Sequence, residues 1–191
     1  NAQIVGVPFQ PTISAGEQPR WLNPVLLPDK QSIVIADEAR SIYKLSTGKQ
    51  LRTVLQQDLE RKLKGRLSVL NNTVVAVSTN DSGDQLDFFD GIELKLIASL
   101  AVEGRFAWGP YSVQAGDQSL VLAYSEIEGL IAADDKGKRL WSINMDRVQL
   151  RGNPSMLESD LLIGTATGDL LRISPSAGKV VGKTTIGEPV Y

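Results

Sequence analysis

Between residues 23 and 186 the sequence repeats one layout four times, with a period near 43 residues. The layout is an apolar run, a polar turn, a second apolar run, a glycine-containing turn and a third apolar run. It is written as "KQSIVIADEARSIYKLSTGKQLRTVL" (30–55), "NTVVAVSTNDSGDQLDFFDGIELKLIASL" (72–100), "QSLVLAYSEIEGLIAADDKGKRLWSINM" (118–145) and "LLIGTATGDLLRISPSAGKVVGKTTI" (161–186). The turn glycines Gly48, Gly91, Gly137 and Gly178 are spaced by 43, 46 and 41 residues. A second marker precedes each copy, a proline ahead of a short apolar segment: "NPVLL" (23–27), "GPYSV" (109–113) and "GNPSML" (152–157). In the second copy "GRLSVL" (65–70) holds this place without the proline. Pro24 and Pro110 are 86 residues apart, two periods, and Pro110 and Pro154 are 44 apart. Two markers that keep one period independently identify a repeat.

Each unit reads as four short strands, at about 24–27, 32–37, 41–45 and 49–56 in the first. The signals are β-branched enrichment, partial alternation and Gly, Asn or Asp at the breaks. Val74, Val75 and Val77 illustrate a second strand, and "NDSGD" (80–84) and "DKGK" (135–138) supply turn residues. One segment, "QQDLERKLKGR" (56–66), has helical composition, and Leu59 and Leu63 at i, i+4 predict a short helical turn there. Four-stranded units every 40–50 residues predict an all-β chain of propeller type, with about four antiparallel blades. The expected division is a lead-in segment at 1–22, blades at about 23–64, 65–107, 108–151 and 152–186, and the start of a further repeat at 187–191. "GEPVY" (187–191) and "GVPF" (6–9) both copy the Gly-x-Pro opening. The chain starts at Asn1 and shows no signal-type apolar stretch, so it reads as a processed protein or a piece of a longer run of repeats.

The pieces "IGTATGDLLRISPSAGK" (163–179), "IADEARSIYKLSTGK" (35–49) and "DDKGKRLW" (134–141) resemble pyrroloquinoline-quinone-like repeats of the quinoprotein alcohol dehydrogenase type. The shared pattern is a Gly-x-Pro opening, a second strand ending in a small residue, an apolar third strand, then Thr-Gly-Lys and often Trp. Here the repeat Trp survives only as Trp141. The resemblance implies a fragment or partial ring of a propeller of seven or eight blades, in a periplasmic or other extracytoplasmic setting. Its members divide into quinone-dependent dehydrogenases and non-catalytic scaffolds, such as the lipoprotein that assists outer-membrane barrel assembly. The dehydrogenases hold quinone with a vicinal cysteine pair, a calcium and a catalytic Asp. This chain has no cysteine, so the resemblance is to the fold and not to that active site.

Composition narrows the function further. There is no histidine, so the commonest general base and the commonest transition-metal ligand are missing, along with thiolate sites. The net charge of −2 and a pI near 5.3 give no footprint for nucleic acid. No apolar run approaches the roughly 18 residues of a membrane span. "AGKVVGKT" (177–184) satisfies a relaxed phosphate-binding loop pattern, but that loop must open a helix. The residues after Thr184 read as strand, so the segment is taken as a hairpin turn and the outermost strand of the fourth unit. Asp81, Asp84, Asp87 and Asp90 could bind calcium, yet the D-x-D-x-D-G spacing is absent, and a polar hairpin tip is the plainer reading. Trp108 and Trp141 read as wedges between blades, with an aromatic ligand platform as the alternative. Trp21 has no assigned place. "RKLKGR" (61–66) reads as a solvated connector.

The first strands, "PVLL", "RLSVL", "PYSVQ" and "PSMLE", are expected to line the central channel. Glu158 is their one acidic residue. A carboxylate- or metal-dependent propeller enzyme would place several there. The sequence therefore predicts a non-catalytic binding or scaffolding module with a protein partner, and self-association of partial rings. A propeller enzyme and a sensor domain of a larger regulatory protein are the alternatives. No catalytic, cofactor-binding or metal-ligating residue is assigned.

Overall fold

In the computed structural model, which describes residues 20–48, 51–145 and 148–187, each repeat folds as one antiparallel meander. The first sheet is β1 (Val25–Leu26), β2 (Ser32–Ala36), β3 (Ser41–Ser46) and β4 (Arg52–Asp58). The second is β5 (Lys62–Leu70), β6 (Thr73–Asn80), β7 (Gly83–Asp90) and β8 (Leu96–Ala101). The third is β9 (Phe106–Ala115), β10 (Gln118–Ser125), β11 (Gly129–Ala133) and β12 (Arg139–Ile143). The fourth is β13 (Leu150–Leu157), β14 (Asp160–Thr165), β15 (Asp169–Ser174) and β16 (Lys179–Thr185). Strands pair in chain order within every sheet, and the first strands of successive sheets lie against one another. The chain is an all-β protein of β-propeller type.

Alternation along the middle strands explains why the sheets stack. On β6, Val74 and Ala76 enter the apolar cluster shared with the first sheet, while Val75 and Val77 enter the one shared with the third. On β10, Val121 and Ala123 face the second sheet and Leu120, Leu122 and Tyr124 face the fourth. Successive side chains leave a strand on opposite faces, so a strand apolar at every position has no solvent face. Slipping β6 by one residue would exchange the two sets. Three such clusters fill the three junctions between consecutive sheets, and among the described residues none joins the first sheet to the fourth. The four blades form an arc.

The two sequence markers have distinct structural meanings. In the second, third and fourth copies the upstream marker position is a β-bulge on the first strand. Pairing slips between Lys64 and Leu67 on β5, between Trp108 and Tyr111 on β9, and between Arg151 and Ser155 on β13. At these bulges Gly65, Gly109 and Gly152 take φ of 75°, 91° and 68°, a region that costs little only for glycine. Three of the turn glycines, Gly91, Gly137 and Gly178, are docking points for the preceding blade, while a Cβ on Gly48 would meet nothing within 4 Å. A Cβ on Gly137 would stand 2.8 Å from the Cβ of Ala98, and one on Gly178 would stand 2.5 Å from Trp141 Cγ. Gly91 receives Lys44 Nζ on its carbonyl at 2.8 Å.

Residues 56–66 differ from the helical turn their composition predicts. β4 continues through Asp58 and β5 opens at Lys62. Leu63 is buried in the junction with the first sheet and Leu59 packs at its edge, so tertiary burial overrides weak local propensity. Residues 49 and 50, most of the lead-in segment and 188–191 lie outside the described residues.

Candidate functional site

Because each sheet is a four-strand meander, the turns after second strands and the connectors between sheets share one end of the arc. The other turns share the opposite end. Among the described residues, two clefts open on the connector face at blade junctions.

The first cleft, of about 460 Å³, is walled by Arg40 from the β2–β3 turn, Glu60 to Lys62 and Lys64 from the connector into β5, Thr79 to Asp81 from the β6–β7 turn, and Arg105. Two of its wall residues, Lys64 and Arg105, are anchored on Asp84, which is 2% exposed. Lys64 Nζ reaches Asp84 Oδ2 at 2.5 Å, and Arg105 Nη1 reaches Oδ1 at 2.8 Å. The Phe106 amide donates to Oδ2 at 2.8 Å. Burial alone would raise the Asp84 pKa, but the Lys64, Arg105, Thr79 and Phe106 interactions outweigh it and hold the carboxyl at about 2. Arg61 is fixed by neutral acceptors, Ser78 Oγ at 3.1 Å from Nε and the Gly83 carbonyl at 2.6 Å from Nη2.

The second cleft, of about 500 Å³, lies between the third and fourth sheets, with Trp108, Tyr124, Glu126 and Leu150 among its walls. Trp108 is buried and donates its indole N–H to the Gly152 carbonyl at 2.8 Å. Its ring stands 4.4 Å from that of Tyr111. The Arg66 guanidinium lies over the Tyr111 ring, 4.1 Å from the centroid, and Nη1 donates to Asn153 Oδ1 at 3.3 Å. Arg66 thus links β5, β9 and β13 across the arc, and its buried Nε has no hydrogen-bond partner. Arg66 stands where the third and fourth repeats carry Pro110 and Pro154. The missing proline was visible in the sequence, but a search for acidic channel residues passes over an arginine.

The residues singled out by motif fall as follows. Residues 177–184 form the β15–β16 turn and β16, without a helix. Lys183 pairs with Asp169 at 2.8 Å and Thr184 sits in the ladder opposite Leu170. The four aspartates do not converge. Asp81 walls the first cleft, and Asp84 is buried as the anchor of Lys64 and Arg105. Asp87 accepts from Ser99 Oγ at 2.6 Å, and Asp90 accepts from the Glu93 amide at 2.8 Å. Among the described residues no group of three or more carboxylates is placed to hold a metal ion. Trp141 is half-buried, spans from β12 to the fourth sheet and donates to the Pro175 carbonyl at 2.6 Å. Trp21 is 38% exposed and packs 6.0 Å from Tyr43. The 61–66 segment is not a free connector, because Arg61, Lys64 and Arg66 all have fixed partners.

Solved structures match this arc at low identity. The crystal structure of BamB from Moraxella catarrhalis aligns with 88% of this chain at TM-score 0.61 and 19% identity, and the match spans 51% of BamB. The dihydro-heme d1 dehydrogenase NirN, solved in complex with DHE, aligns with 92% at TM-score 0.71 and 14% identity, over 39% of its own length. The computationally designed protein Ika8 aligns with 84% at TM-score 0.59 and 11% identity, over 48% of its length. BamB and NirN are β-propeller proteins, and at these identities the likeness is one of fold. The chain spans about half the length of BamB and less than half of the other two. No family profile matches the sequence, and neither does any curated protein.

Proposed function

We propose that this chain is a non-catalytic binding or scaffolding module of the quinoprotein-like propeller type, and that it takes a protein partner on its connector face. The observation that carries this reading is the pair of clefts at adjacent regions of one face, with walls fixed by bonds to the blades themselves. Fixed walls reduce the ordering cost of association. Asp84, which anchors two walls of the first cleft, serves as a structural acceptor for Lys64, Arg105 and the Phe106 amide. Asp84 is held at about 2, far from the near-neutral pKa that suits a general acid or base. In this reading the flanks of the arc, with half-buried Ile33 and Ile35 at one end and Leu162 and Leu170 at the other, associate with a second arc.

A photo-crosslinking side chain placed at Glu60, at Glu126 and at Asp117 tests the partner face. Asp117 borders the β9–β10 turn at the opposite end. Protein adducts are expected from Glu60 or Glu126 and not from Asp117. Adducts from Asp117 alone, or turnover of a substrate that is lost when Asp84 is changed to Asn in a folded protein, would overturn the reading.

A further inference from the structure

The first cleft, two of whose walls are anchored on Asp84, concentrates positive charge in a chain whose net charge is −2. Arg40, Arg61, Lys62, Lys64 and Arg105 wall it. Against them stand the carboxylates of Glu60, Asp81 and Asp84, which leaves two positive charges in excess. The cations come from three consecutive blades, since Arg40 belongs to the first sheet, Arg61 to Lys64 to the opening of the second and Arg105 to the approach to the third.

Their anchoring divides them into two tiers. Lys64 and Arg105 share Asp84, and Arg105 Nη1 also donates to Thr79 Oγ1 at 2.6 Å and to the Asn80 carbonyl at 2.9 Å. Arg61 is bound to a hydroxyl and a carbonyl, which orient its fork and leave its charge uncompensated. Arg40 and Lys62 stand exposed at the rim. Fixed guanidinium groups match carboxylates in geometry, and orientation in advance lowers the cost of binding.

Resting on the reading of the connector face as a partner surface, we propose that this cleft binds a short acidic segment of a protein partner. A long polyanion would meet the acidic remainder of the surface. A short segment feels only the local field, because charges more than about 8 Å apart are largely screened at physiological ionic strength. The spread of cations over three blades suits an extended chain, with successive carboxylates meeting rim and walls.

The test uses a fluorescein-labelled peptide of alternating Glu and Gly, followed by anisotropy on the full chain. Comparators are the same peptide with Gln for Glu, and a thymidine oligonucleotide of equal charge. The variant Arg40→Glu/Lys62→Glu reverses the two rim charges. Lys136→Glu/Lys179→Glu makes the same change in net charge at two exposed positions of the opposite end, one in the β11–β12 turn and one at the start of β16. The acidic peptide is expected to bind, to weaken with salt, and to lose about tenfold or more in affinity in the rim variant but not in the other. Equal binding of the Gln peptide or of the oligonucleotide overturns the proposal, as does an equal effect of the two variants. If crosslinking at Glu126 captures a partner whose binding ignores the rim variant, the partner-face reading stands and the acidic-segment proposal falls.

Discussion

Replacing Gly178 with alanine isolates the contribution of a single blade-to-blade contact. Gly178 has φ of 58° and lies in the turn before β16, where its amide donates to the Ser174 carbonyl at 2.9 Å. A Cβ there would stand 2.5 Å from Trp141 Cγ and 2.7 Å from Trp141 Cβ, against the 3.5–4.0 Å or so of an ordinary carbon contact. Trp141 cannot retreat freely, because its indole is bonded to the Pro175 carbonyl and its backbone pairs with Ala132. Two costs follow: about 1 kcal/mol for a left-handed alanine, and about 1–3 kcal/mol for overpacking the junction. Gly116 separates them. It has nearly the same φ, 60°, and nothing lies within 4 Å of where its Cβ would be. Gly116→Ala should therefore lose about 1 kcal/mol and Gly178→Ala about 2–4 kcal/mol in urea titrations of the full chain, with unchanged m-values. Equal losses would show that the turn's conformation alone demands glycine, and that the packing of turn against tryptophan contributes nothing.

Four further outcomes are expected. The lowered pKa of Asp84 means that its contribution to stability is complete above the ordinary value of 3.8 and is lost as pH falls toward about 2. Over that window, stability should drop by about 2 kcal/mol more in the wild type than in Asp84→Asn, measured by denaturant titration at successive pH values. Trp108→Phe keeps a six-membered aromatic ring but removes the pyrrole part of the buried indole and its bond to the Gly152 carbonyl, so about 1–3 kcal/mol of stability should go in denaturant titration. Arg66→Ala removes the guanidinium from Tyr111 and Asn153 and should cost about 1 kcal/mol by the same titration. No loss would mean the bridge across the arc is not formed in solution. Sedimentation should show concentration-dependent association of the 191-residue chain; a monomer throughout would refute pairing of the arcs.

The repeat period was enough to read the blades, because a propeller blade is defined by local pairing and each turn is written in adjacent residues. Strand ends were read less well where burial is decided by the next blade. Leu63 looks helical beside Leu59, and only the junction with the first sheet makes it a strand residue. The clefts were not legible at all. Arg40, Arg61 and Arg105 are far apart in sequence, and what brings them together is the curvature of stacked sheets, which no single repeat encodes. Asp84 was noticed as one of four acids in a hairpin. Its role as the anchor of two cations depends on Lys64 and Arg105, one on β5 and the other in the connector before β9. Arg66 carried a readable signal, a departure from its own repeat. A period does more than identify a fold, because the position that breaks it marks where one blade has acquired a separate task.

Three apolar junctions serving four blades make the arc a linear array in its energetics. Among the described residues, the second and third blades are each held on two sides and the first and fourth on one. In such an array, stability is a sum of intrinsic blade terms and nearest-neighbour couplings, and opening begins at the ends. Amide exchange would then be slowest on β6, β7, β10 and β11 and faster on β2, β3, β14 and β15, although all eight are interior strands of their sheets. The first cleft draws its walls from both kinds of blade. Arg40 stands on an end blade and Arg61 and Lys64 on an inner one, so a ligand held between them would tie the fraying end of the array to its most persistent part.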